Sequence, residues 1–99
     1  MIQILYIGRH TEILVTVVRL LNANPNWMGF GVTTDLQAME LFVLRHFDVV
    51  LLGCGLTDES DTRLRERFLR HNPKVKIVQH YGGGSGLLFN EIESALAGN

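Results

Sequence analysis

Cysteine occurs once in this chain, at Cys54. No disulfide can close within it, and nothing in the sequence signals an oxidising compartment. Apolar runs are short, and none approaches the roughly 20 residues that a membrane-crossing helix needs. The segment Met1-Ile2-Gln3-Ile4-Leu5 carries neither a basic leader nor a cleavage signal, so the expected location is the cytoplasm. Proline is limited to Pro25 and Pro73, and no linker or low-complexity tract interrupts the chain. Neither sign of charge dominates. Nine Lys and Arg against ten Asp and Glu leave a formal net charge of -1, which argues against a general nucleic-acid binder.

What is present suits one compact domain spanning residues 1–99. Hydrophobic residues make up 46% and charged residues 19%, a globular balance and not a disordered one. Four strand-like runs alternate with four helix-like runs. The first strand is expected over residues 2–7. Thr11 offers an N-cap to a helix reaching about Leu21, striped by Ile13, Leu14, Val17, Val18, Leu20 and Leu21. Asn22, Asn24 and Pro25 stop it. A second strand follows over 28–32, and Thr34 or Asp35 caps a helix to about Arg45.

The run Asp48-Val49-Val50-Leu51-Leu52 reads as a central parallel strand covered on both faces. Thr57, Asp58 and Ser60 open a third helix that ends near His71, ahead of Asn72-Pro73. A last strand is expected over 75–80. The run Gly82-Gly83-Gly84-Ser85-Gly86 then breaks the chain before a final helix striped by Leu88, Phe89, Ile92, Ala95 and Leu96. Strict alternation with short loops implies parallel strands and right-handed crossovers, hence a three-layer αβα sandwich with strand order 2-1-3-4. Any ligand site then lies beyond the carboxyl ends of the strands.

Two stretches resemble a known family. Ile4-Leu5-Tyr6-Ile7-Gly8-Arg9-His10 is similar to the first strand of the receiver domain of bacterial response regulators. Gln37-Ala38-Met39-Glu40-Leu41-Phe42, followed by Asp48-Val49-Val50-Leu51-Leu52-Gly53, is similar to that domain's second helix and third strand. The resemblance covers about residues 2–82 and implies a flavodoxin-like fold. It also implies where the family's chemistry would sit. The acidic pair that holds magnesium falls on Gly8 and Arg9, the phosphoacceptor aspartate on Gly53, and the hydroxyl residue that follows phosphorylation on Gln79. Magnesium asks for oxygen ligands, and glycine can form no acyl phosphate. One helix-strand unit is also missing, together with the family's lysine, which leaves the strand over 75–80 at or near an edge.

Other constellations are weaker. His10, Cys54 and His80 stand at strand ends, but no short ligand spacing and no fourth ligand supports zinc, so no metal is expected. Arg9 with Gly83, Gly84 and Ser85 could cradle an anion, yet no Gly-Lys-Ser/Thr follows and the run reads more readily as a flexible connector. Arg63, Arg67, Arg70 and Lys74 share a helical face. With Asp58, Glu59 and Asp61 at the other end of that helix, the pattern suits the helix dipole with no ligand. Trp27 reads as a core or rim aromatic. No nucleophile-base-orienter set is legible. A sugar-phosphotransferase component would carry a nucleophilic cysteine after the first strand, where this chain has Gly8-Arg9.

The expectation is therefore a non-enzymatic pseudo-receiver that binds protein partners in signalling, with no cofactor. The alternative is a small-ligand or anion-binding domain using the strand ends. A homodimer is expected through the second helix. There Leu36, Ala38, Met39, Phe42 and Val43 should face the sheet, leaving Leu41 and Leu44 as dimer contacts.

Overall fold

A computed structural model describes residues 1–80 and 85–98. The elements are β1 (Ile2–Ile7), α1 (Thr11–Asn22), β2 (Trp27–Val32), α2 (Asp35–Leu44), β3 (Val49–Leu52), α3 (Asp58–His71), β4 (Lys76–Gln79) and α4 (Ser85–Leu96). All strand pairings are parallel, and the sheet order is β2-β1-β3-β4. The strand order and element sequence follow the alternation read from the chain. The ends differ by a residue or so: β2 begins at Trp27, β3 at Val49, and β4 is confined to Lys76–Gln79.

The sheet sorts side chains by parity, because successive strand residues point to opposite faces. Leu5, Ile7, Val50 and Leu52 face α2 and α3, where they meet Ala38, Phe42, Leu64 and Phe68. Ile4, Tyr6, Val49 and Leu51 face α1 and α4, where they meet Val17, Leu21, Leu88 and Ile92. Residues 4–7 and 49–52 are fully buried, as the two central strands of a sheet covered on both faces require. Trp27 joins the second cluster, its ring stacked on Phe89 at 5.4 Å.

Local chemistry sets the helix ends. Thr34 Oγ1 accepts from the Gln37 N–H and Thr57 Oγ1 from the Ser60 N–H, each at 3.1 Å, as expected of N-caps. The expected cap at Thr11 is displaced by one residue: His10 takes the N-cap position without a side-chain hydrogen bond, and Thr11 is already helical. At the other end of α1, the Asn22 amide accepts from the Gly29 N–H and donates to the Gly29 carbonyl, tying the helix to β2.

The expected facing of α2 needs correction. Ala38 and Phe42 are buried, but Leu36 and Val43 are exposed, and Leu41 packs against the core. The helix is rotated by roughly 60° from the phase read off the sequence, at 100° per residue. Its apolar residues run nearly all round, so periodicity could not set the phase. Packing of Ala38 and Phe42 into the core, with Phe42 against Phe47 and Phe68, does. Among the described residues, no helix is long and apolar enough to cross a membrane.

Candidate functional site

The carboxyl ends of β1 and β3 bring Gly8, Arg9 and Gly53 together. Ile7 pairs with Leu52 in register, and the Gly53 N–H donates to the Ile7 carbonyl at 2.7 Å. Gly8 and Gly53 are therefore neighbours, and both lie beside the ring of Tyr6. A Cβ added at Gly53 would sit 2.3 Å from Tyr6 Oη, and one added at Gly8 would sit 2.7 Å from Tyr6 Cε2. The phenol fills the volume into which side chains at both positions would project. Tyr6 is wholly buried, and its hydroxyl has no hydrogen-bond partner among the described residues. Burial, and after it the neighbouring Cys54, pushes the phenol up to about 12.

Arg9 turns away from the tyrosine and closes a second cluster. Its Nη1 donates to the Thr33 carbonyl at 2.6 Å, and its Nη2 to Asp35 Oδ1 at 2.6 Å and Ser60 Oγ at 3.3 Å. One guanidinium thus ties the end of β1 to the first turns of α2 and α3. Its stem passes over Gly55, which adopts a left-handed φ of 81°; a Cβ there would meet Arg9 Cβ at 2.8 Å. Burial alone would raise the Asp35 carboxyl. The hydrogen bonds from Arg9 and Ser60, with the charges of Arg9 and Arg63, outweigh it and hold the carboxyl below its usual range.

Gln79 stands at the end of β4, and its Nε2 donates to the Leu52 carbonyl at 3.0 Å. His80 is buried, with Nδ1 2.5 Å from Glu91 Oε1, which fastens β4 to α4. Its ring meets Tyr6 edge-on at 6.3 Å. The three residues weighed for zinc have different settings. His10 is exposed at the start of α1, Cys54 is half-buried, and His80 is engaged by Glu91. Among the described residues, no three His, Cys, Asp or Glu side chains are grouped to hold a metal ion.

The magnesium that the receiver resemblance implies does not fit here. Gly8 and Gly53 offer no side-chain oxygen, and the Arg9 guanidinium puts a cation beside the nearest carboxylate, Asp35. The anion cradle read from Gly83, Gly84 and Ser85 lies outside the described residues, apart from the Ser85 backbone at the start of α4. Its cationic member, Arg9, is committed to Asp35. Of the two leucines expected at a dimer contact, Leu44 is exposed and Leu41 is not free; Leu36 and Val43 join Leu44 on the uncovered face of α2.

Sequence reasoning missed Tyr6, Thr33, Asp35, Ser60 and Glu91. For Tyr6 the sequence offers only Gly8, two residues on and on the same face, as a mark of close approach; Gly53 joins it only through the β1–β3 register. No local pattern links Arg9 to Asp35, 26 residues away.

No family model matches the sequence, and no curated protein matches it. Solved structures do match in fold. A signal receiver domain of an HD domain-containing protein from Pseudomonas fluorescens Pf-5 superposes with a TM-score of 0.83 at 18% identity, covering 98% of this chain and 95% of its own. A LuxR family DNA-binding response regulator from Silicibacter pomeroyi gives 0.79 at 17% identity over 100% and 93%. A structure of a histidine kinase in complex with a response regulator protein gives 0.72 at 16% identity over 99% and 97%. The fold of this chain is that of response-regulator receiver domains.

Proposed function

We propose that this receiver-folded chain is a pseudo-receiver: a protein-interaction module that accepts no phosphoryl group and catalyses no reaction. The observation that carries the reading is the Tyr6 ring lying across Gly8 and Gly53. The space that a phosphoacceptor side chain would need is filled by a buried aromatic. Arg9 adds a second, independent support. In receivers a metal ion supplies positive charge at the end of the first strand; here a covalently held guanidinium does so permanently. It is neutralised by Asp35 and bonded to the first turns of α2 and α3.

On this reading the domain rests in one state. Its loops after β1, β2 and β3 are bound together through Arg9 with no phosphate to make or break the link, so partner binding is independent of phosphorylation. The use of protein partners is drawn from the fold: one solved relative in fold is a response regulator with a histidine kinase. The ligand-binding alternative loses its cation to Asp35, and no observation favours it.

The test is an NMR titration of the isotopically labelled chain with magnesium and beryllium trifluoride, a phosphoryl mimic. The expected result is no saturable shift at Gly8, Arg9, Gly53 or Gln79. A saturable shift centred on those residues overturns the proposal.

A further inference from the structure

We infer that the groove between α2 and α3 is a docking site for an acidic amphipathic helix of a partner protein. The inference rests on the reading of the chain as an interaction module and gives that module its surface and the chemistry of its partner.

The floor of the groove is the pair Phe42 and Phe68, with ring centroids 4.4 Å apart. The α2 wall is Met39 and Val43, and the α3 wall is Arg67, Arg70 and His71; together they enclose roughly 290 Å³. Val43 itself is 58% exposed, and Leu36 and Leu44, outside the wall on the same helix, are 68% and 79% exposed. Three large apolar side chains this open, beside an apolar floor, exceed the scatter of single exposed residues on a typical surface.

Charge selects the occupant. Among the described residues, no acidic side chain lines the groove. Among the described residues, the salt bridges involve Arg9, His46, Arg65 and His80, so the two arginines that line the groove, Arg67 and Arg70, are engaged in none. Arg65, on the same helix, is paired with Asp61 and stands apart from this face. The result is an apolar lip on α2 facing two cations on α3, Arg67 and Arg70, that no salt bridge engages among the described residues. A helix with leucine-like residues on one stripe and carboxylates beside it satisfies both walls at once, the groove mode of helix recognition. A nucleic acid would meet the cations but leave the phenyl floor and the α2 lip without partners. The helix dipole explains why basic residues gather toward the end of α3. It does not explain why the facing helix turns Leu36 and Leu44 outward.

The experiment uses the whole labelled chain and four probes: a synthetic amphipathic helix with a leucine stripe and flanking glutamates, the same composition scrambled, the same helix with lysines for glutamates, and a single-stranded oligonucleotide. The proposal predicts saturable NMR shifts confined to α2 and α3 for the first probe alone. Affinity should fall at least tenfold in Arg67→Glu/Arg70→Glu, fall similarly in Val43→Glu, and weaken as salt rises. All three substitutions are at exposed positions, and an unchanged spectrum elsewhere shows that the variants are folded. Equal binding of the scrambled peptide, tighter binding of the oligonucleotide, shifts centred elsewhere, or concentration-dependent shifts at α2 and α3 without any peptide (a second copy in the groove) each overturn it. No magnesium or phosphodonor is present, so failure here leaves the pseudo-receiver reading standing, and a phosphoryl adduct overturns that reading without touching this one.

Discussion

Tyr6 Oη lies 2.3 Å from the point where a side chain on Gly53 would begin. Two residues 47 positions apart therefore share one volume, and a side chain at 53 would have to displace the ring. Gly53→Ala should destabilise the fold by about 1–3 kcal/mol, because the buried ring must shift in a close-packed core. In a Tyr6→Val background, where the space is free, most of that cost should vanish. Urea denaturation of the four proteins of this cycle measures the coupling. An equal cost in both backgrounds contradicts the shared volume.

The orphaned Tyr6 hydroxyl makes a second prediction. A buried polar group without a partner costs about 1–3 kcal/mol of desolvation, and removing it leaves the ring packing intact. Tyr6→Phe should therefore be neutral or stabilising, by up to ~1 kcal/mol, in thermal or urea unfolding. A clear loss of stability would mean that the hydroxyl is bonded in solution.

The Arg9–Asp35 pair should appear as a pH dependence. The Asp35 carboxyl is held below its usual value in the folded state. Its contribution is therefore present above the unfolded value of about 3.9 and disappears as pH falls through the lower folded value. Asp35→Asn should be less stable than the wild type at neutral pH, by roughly 1–3 kcal/mol for a charge-assisted hydrogen bond lost. The gap should be constant above about pH 5 and close progressively below pH 4. A gap that persists unchanged at acid pH contradicts the assignment.

The fold was legible because its signals are local. The apolar run Val49–Leu52 announced a central strand, the run within residues 2–7 announced the first strand, and Thr34 and Thr57 capped the helices that follow the second and third strands. The absence of carboxylates at Gly8 and Gly53 could likewise be read directly. What replaced them could not. Tyr6 reaches Gly53 only through the β1–β3 register, and Arg9 reaches Asp35 and Ser60 only once α2 and α3 converge on the sheet end. The phase of α2 was misread for a related reason. With apolar residues at 36, 38, 39 and 41–44, several orientations bury a similar number of them, and packing against Phe47 and Phe68 decides which.

Tyr6 beside Gly8 and Gly53, with Arg9 bound to Asp35, should leave this receiver fold unable to take a phosphoryl group. The most direct test is the intact mass of the protein after incubation with acetyl phosphate and magnesium. The mass should be unchanged. A stable gain of one phosphoryl group, mapped to an aspartate such as Asp35 or Asp48, would contradict it.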